Sequence, residues 1–192
     1  MQGVAPGRRA VANMKAVLVA SSALFCAVSF GGEQPTPPTS GIPKGTSAEE
    51  RLKVAKSVKV KTDILGVELG STLQAAHAKL DGLNDPAQPW KELKARDGAV
   101  KAVWQLDKTP YKSVYVKTNA KREIDYLTGF VRAGEEVPFE QIGEAKKAPL
   151  QNDTTIVWDV IRPNRPPIRL VAEGKERKAS VIKLFVVARP LR

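Results

Sequence analysis

Residues 100–132 read VKAVWQLDKTPYKSVYVKTNAKREIDYLTGFVR, and their apolar period is two. Val100, Ala102, Trp104 and Leu106 alternate with Lys101, Val103, Gln105 and Asp107. Successive side chains of an extended chain leave it on opposite sides, so this pattern is a strand with one buried face. Asp107-Lys108-Thr109-Pro110 supplies turn residues, and Tyr111 to Thr118 alternates again through Val114 and Val116. Asn119-Ala120-Lys121-Arg122 reverses the chain into Glu123 to Arg132, where Ile124, Tyr126, Thr128 and Phe130 are expected to share a face. Three consecutive strands with short connections predict an antiparallel meander.

On the amino-terminal side, Gly70 ends an apolar stretch and Ser71-x-x-Gln74 has capping-box spacing. Leu73, Ala76, His77 and Leu80 then recur at helical spacing up to Gly82, a helix of about three turns. His77 lies beside the apolar stripe and is read as a packed histidine. Farther upstream, Ser47-Ala48-Glu49-Glu50 is a second capping box, opening a short helix. The basic run to Lys61, with Val54, Val58 and Val60 among four lysines, suits either an edge strand or an amphipathic helix with a solvated face.

On the carboxyl-terminal side the order recurs. Val137-Pro138-Phe139-Glu140-Gln141-Ile142-Gly143 is a short helix, and strands follow at 155–161, 168–173 and 179–187. Their turns are Arg162-Pro163-Asn164-Arg165-Pro166-Pro167 and Gly174-Lys175-Glu176-Arg177. The expected class is α+β: an antiparallel sheet of about six strands with short helices on one face. Residues 62–133 and 137–192 form two helix-plus-three-strand units, a tandem repeat resting on element order alone.

Lys15, an apolar run from Ala16 to Phe30 and the small-x-small triplet Ala27-Val28-Ser29 make residues 1–32 a secretory signal peptide. The run falls short of the roughly 20 residues that span a bilayer, so no transmembrane helix is expected once it is removed. Met14-Lys15 is a more typical signal start than Met1, which makes residues 1–13 an upstream extension. Cys26 sits where a lipoprotein would be lipidated, but bulky Phe25 precedes it where a small residue is wanted, so the expected location is periplasmic or secreted without an anchor. Pro35, Pro37, Pro38 and Pro43 with several Gly, Thr and Ser make 33–46 an extended linker, and 47–192 is the folded domain.

Of 31 Lys+Arg and 20 Asp+Glu in 192 residues, the first 32 hold three bases and no acid. Residues 33–192 therefore carry 28 bases against 20 acids, net +8. In an exported chain such a field meets anionic lipid, wall polymers or acidic protein surfaces rather than nucleic acid. One Cys and one His leave no zinc ribbon, disulfide framework or Cys–His pair. Gly-x-Ser-x-Gly, His-Glu-x-x-His, the P-loop and Gly-x-Gly-x-x-Gly are absent, so no catalytic residue, metal or cofactor is expected. Carboxylate pairs assembled from distant positions stay open, with Glu123, Asp125 and Asp159 as surface charges first.

Gly70-x-Thr72-x-Gln74-x-Ala76-x-x-x-Leu80 resembles the opening of small bacterial envelope domains typified by the outer-membrane-assembly small lipoproteins and the β-lactamase-inhibitor-protein fold. Asp81 stands where those domains have a glycine, and their following proline is missing. The resemblance implies a non-catalytic binding module of the envelope and carries over no catalytic residue.

The expected function is an exported binding protein docking an envelope protein or an anionic surface. A carbohydrate or anionic-polymer binder, or a hydrolase using paired carboxylates, is the alternative. Arg162, Arg165 and Arg169 in and beside a proline-stiffened turn are candidate partner-binding residues, since guanidiniums grip carboxylates and phosphates bidentately; the same loop also reads as a solubilising hairpin. Trp90, Tyr111 and Tyr115, in or near turns, are candidate aromatic anchors, whereas Trp104 and Trp158 belong to the core.

Overall fold

The computed structural model describes residues 47–187; the expected signal peptide and the 33–46 linker lie outside the described residues. The chain opens with α1 (Ala48–Ser57), whose capping box forms as expected: Glu50 N–H donates to Ser47 Oγ at 3.2 Å, and Ser47 N–H donates to Glu50 Oε2 at 3.0 Å. A hairpin of β1 (Asp63–Ile64) and β2 (Val67–Glu68) follows. Its two-residue loop, Leu65 and Gly66, has positive φ at both positions, the geometry of a type I′ turn.

Helix α2 (Leu73–Leu80) starts one residue later than the capping box predicts. Thr72 is the N-cap, accepting from Ala75 N–H at 3.2 Å, while Ser71 Oγ donates to Glu68 O at 2.6 Å. Nor does Gly82 stop the helix. The chain tightens into a 3-10 turn over Asp81–Leu83, so no left-handed residue is needed there.

Strands β3 (Lys91–Lys94), β4 (Val100–Gln105), β5 (Tyr111–Thr118) and β6 (Ile124–Val131) come next. After β7 (Val137–Pro138) and α3 (Phe139–Ile142), a 3-10 turn over Ala145–Lys147 leads to β8 (Leu150–Gln151), β9 (Thr155–Val160), β10 (Ile168–Lys175) and β11 (Lys178–Val186). All pairings are antiparallel. Among the described residues the main sheet has nine strands, not six: the order is β3-β4-β5-β6-β11-β10-β9-β8, with β7 on β11. The two meanders join through the β6–β11 seam.

Cross-strand register divides the sheet into two faces. Ala102, Val116, Leu127, Leu184, Leu170 and Trp158 lie side by side across six strands, and Trp104, Val114, Gly129, Ile182, Ala172 and Ile156 form the next row. These residues are buried, and Leu73, Ala76 and Leu80 of α2 with Phe139 and Ile142 of α3 complete the same core. The register is symmetric about the seam: a half-turn carries Trp104 onto Trp158, Val103 onto Val157 and Phe130 onto Phe185. Both indoles bond just after a helix, Trp104 Nε1–H to Asp81 Oδ1 at 2.8 Å and Trp158 Nε1–H to Glu144 O at 3.1 Å.

One expected face is corrected. Thr118 opposes Ile124 while Lys117 opposes Tyr126, so Asp125 is an extra, bulged residue. The bulge sends Ile124 into the core and turns Tyr126, Thr128 and Phe130 to the opposite side. The last turn is also displaced. Gly174 and Lys175 belong to β10, and the chain reverses at Glu176 and Arg177, both at positive φ.

Candidate functional site

The opposite face of the sheet lies outside that core; among the described residues Thr128, Val157 and Val171 on it are buried, and the side chains around them are partly or fully exposed. Its rows follow from the register. Lys101, Lys117, Tyr126, Phe185, Arg169 and Asp159 form the first; Val103, Tyr115, Thr128, Lys183, Val171 and Val157 the second; Gln105, Ser113, Phe130, Val181, Glu173 and Thr155 the third. Tyr115 meets Tyr126 edge to face at 5.8 Å between ring centroids, and Tyr126 stacks on Phe185 at 6.2 Å with planes 19° apart. This aromatic band crosses β5, β6 and β11, including the seam. Phe130 adds a side chain 41% exposed on the adjoining row.

The charges on this face are partly committed. Arg169 grips Asp159 through Nε at 2.7 Å and Nη2 at 3.1 Å, and Lys183 Nζ lies 2.6 Å from Glu173 Oε2. Among the described residues Lys101 and Lys117 have no ion-pair partner within 4.0 Å, although they face each other across strands β4 and β5. Like charges in register cost stability, and an anionic partner relieves that cost. Burial pushes the Tyr115 hydroxyl above its ordinary range, with Tyr126 and Asp125 adding to it. A recess of about 250 Å³ at the β3–β4 margin, between Pro89, Lys91, Val103 and Gln105, extends the same face.

Two groups here have unmet chemistry. Thr128, 3% exposed in the middle row, has a buried Oγ1 with no hydrogen-bond partner among the described residues. A buried hydroxyl without a partner costs about 1–3 kcal/mol, so Thr128→Val is expected to stabilise the fold by about 1 kcal/mol in urea denaturation. Asp125 has a buried, unpartnered Oδ1, and burial raises its carboxyl above the ordinary range against the opposing pull of Lys117; Asp97 raises it further. A carboxyl raised in the folded state stabilises below its unfolded value and loses that contribution as pH rises through its folded value. Asp125→Asn is therefore expected to raise the urea midpoint at pH 7 and to leave it unchanged near pH 3.

The anchors expected from the sequence fall in different places. Tyr115 lies mid-strand on the open face rather than at a turn. Tyr111 is partly buried, its ring packed on the core side over Gly129, where an added Cβ would sit 2.6 Å from Tyr111 Cε1, and burial raises its hydroxyl. Trp90 packs over the end of α2, 4.4 Å from the His77 ring and 6.0 Å from Trp104. His77 Nδ1 lies 3.0 Å from Asp81 Oδ1, the oxygen that also accepts from Trp104, so His77 is held in a structural cluster as expected.

Nor do the three arginines converge. Arg169 is held by Asp159 on the open face, whereas Arg162 and Arg165 lie on the β9–β10 connection beside β2, Arg162 Nη1 donating to Leu69 O at 3.2 Å. Tyr126, Phe130, Phe185, Lys101 and Lys117 are the residues that strand periodicity alone leaves unmarked. Among the described residues no group of three His, Cys, Asp or Glu side chains is arranged to hold a metal ion, and no helix is long and apolar enough to cross a membrane.

No protein-family model matches the chain, and no curated protein or solved structure matches it.

Proposed function

We propose that the chain is an exported, non-catalytic binding protein of the bacterial cell envelope that docks an acidic protein surface on its open sheet face. The observation that carries this reading is the Tyr115–Tyr126–Phe185 band, set across the seam on the face that the core does not use. Aromatic side chains bring large, rigid contact area at small entropic cost, and tyrosine is enriched where interfaces are strongest. Lys101 and Lys117 beside the band favour an acidic partner and speed its approach. The apolar segment of residues 16–30 supports export, and the likeness of Gly70 to Leu80 to small envelope domains supports the compartment. On this reading 62–133 and 137–192 are two copies of one unit, which the register symmetry supports.

The alternative, a carbohydrate or anionic-polymer binder or hydrolase, draws support from one feature, the raised and unpartnered carboxyl of Asp125 with Asp97 close enough to influence it. Capture from an envelope extract separates the two. The immobilised full chain is expected to retain a discrete protein through a high-salt wash, and Tyr115→Ala and Phe130→Ser are expected to lose it. Retention of polymer alone, at low salt and equally in all variants, sinks the reading.

A further inference from the structure

The β9–β10 connection presents an unneutralised guanidinium in a preorganised setting. Arg165 N–H reaches Arg162 O at 3.4 Å, closing a turn with Pro163 in its second position and Asn164, φ +54°, in its third. Proline there with positive φ next is the type II pattern, which brings the first and fourth Cα atoms within about 7 Å and so sets Arg162 and Arg165 side by side. Pro166 and Pro167 stiffen the exit.

The charges do not balance. Glu68 Oε2 lies 3.5 Å from Arg165 Nη1, and both side chains are about half exposed. Arg162 is half-buried and, among the described residues, donates only to neutral carbonyls, Leu69 O at 3.2 Å and Pro166 O at 3.4 Å. Its Nε is buried and has no acceptor among the described residues. Burial lowers the Arg162 pKa, as does Arg165, while Glu68 opposes the change. Two cations and one anion leave a single positive charge at a partly desolvated position, where a charged group is costly until it is paired.

We propose that Arg162 and Arg165 form a binding site for one carboxylate group, of the kind an aspartate or glutamate side chain presents. A monoanion neutralises the site, whereas a phosphate dianion overshoots by one charge. The carboxylate is planar and matches the guanidinium fork, and the turn holds the two forks before binding. The site is separate from the aromatic face and stands whether or not that face docks a partner.

The test follows the Nε–Hε resonances of Arg162 and Arg165 in the full chain during titration with acetate, inorganic phosphate or chloride at constant ionic strength. Acetate is expected to give saturable shifts and chloride none. Arg165→Gln, a change at an exposed side chain that leaves the core intact, is expected to weaken acetate about tenfold, the loss of one charge-assisted hydrogen-bonded partner. Arg162→Lys keeps the charge but not the fork and is expected to abolish saturation; its thermal midpoint checks folding. Glu68→Gln removes the internal competitor and is expected to tighten acetate binding several-fold. Linear shifts that are the same for acetate and chloride overturn the proposal, as does an unchanged response in Arg165→Gln. Phosphate binding tighter than acetate in the unmodified chain overturns the carboxylate assignment.

Discussion

Trp104→Ala is expected to destabilise the fold by about 3–5 kcal/mol, the range for truncating a fully buried aromatic side chain. The indole is inaccessible to solvent, lies in a core row between α2 and the sheet, and carries Trp90 on its face and His77 on its edge. Its removal opens a cavity that the nine-stranded sheet cannot close without shifting register. The polar part of the loss is small. Asp81 keeps His77 Nδ1 at 3.0 Å when the indole N–H is gone, so Trp104→Phe is expected to cost only about 1–2 kcal/mol. Trp158, its counterpart across the seam, is expected to behave alike, because Glu144 O still accepts from Lys147 N–H at 3.0 Å. Urea denaturation of the four variants checks this. A cost near 1 kcal/mol for Trp104→Ala contradicts its place in the core.

Gly174→Ala is the second large effect, expected to cost about 3 kcal/mol or more, at the top of the range for forced backbone shifts. The register of β10 against β11 slips between Glu173 and Gly174. A Cβ on Gly174 would sit 1.8 Å from the Lys178 carbonyl oxygen and 2.9 Å from its carbon, both backbone atoms that cannot rotate away. Gly134 is the natural control. Its φ is +87° but its surroundings are open, so alanine there is expected to cost only about 1 kcal/mol. Comparable losses at both positions would contradict the steric account of Gly174.

Six of the strands are legible because each is six or more residues long and carries β-branched or aromatic residues between turn signals, and the Ser47 cap because its partners are three residues apart. The remaining strands have no such signal. β1, β2, β7 and β8 are two residues long, too short to display a period, and β3, Lys-Glu-Leu-Lys, has a single apolar side chain. The seam between β6 and β11 was not readable, since pairing between distant strands leaves no local pattern. The open face is hidden in the sequence for a different reason. β6 and β11 carry large apolar residues on both faces, Leu127 against Tyr126 and Phe130, Leu184 against Phe185, so alternation alone does not say which side meets the helices. The bulge at Asp125 then separates Ile124 from Tyr126, Thr128 and Phe130, which plain alternation puts on one face. The three arginines are neighbours in sequence, but a strand that begins at Ile168 puts Arg169 on the sheet face, away from the turn.

The claim that the open sheet face is the docking surface is tested most directly by site-specific photo-crosslinking. A photoreactive phenylalanine analogue is placed at Tyr115, at Phe130 or, as a control on the helix-covered side, at the exposed Gln74 of α2, and each protein is irradiated with envelope extract. A discrete adduct of one mass from positions 115 and 130, and none from 74, is the predicted result. Adducts only from position 74, or the same smear from all three, would contradict it.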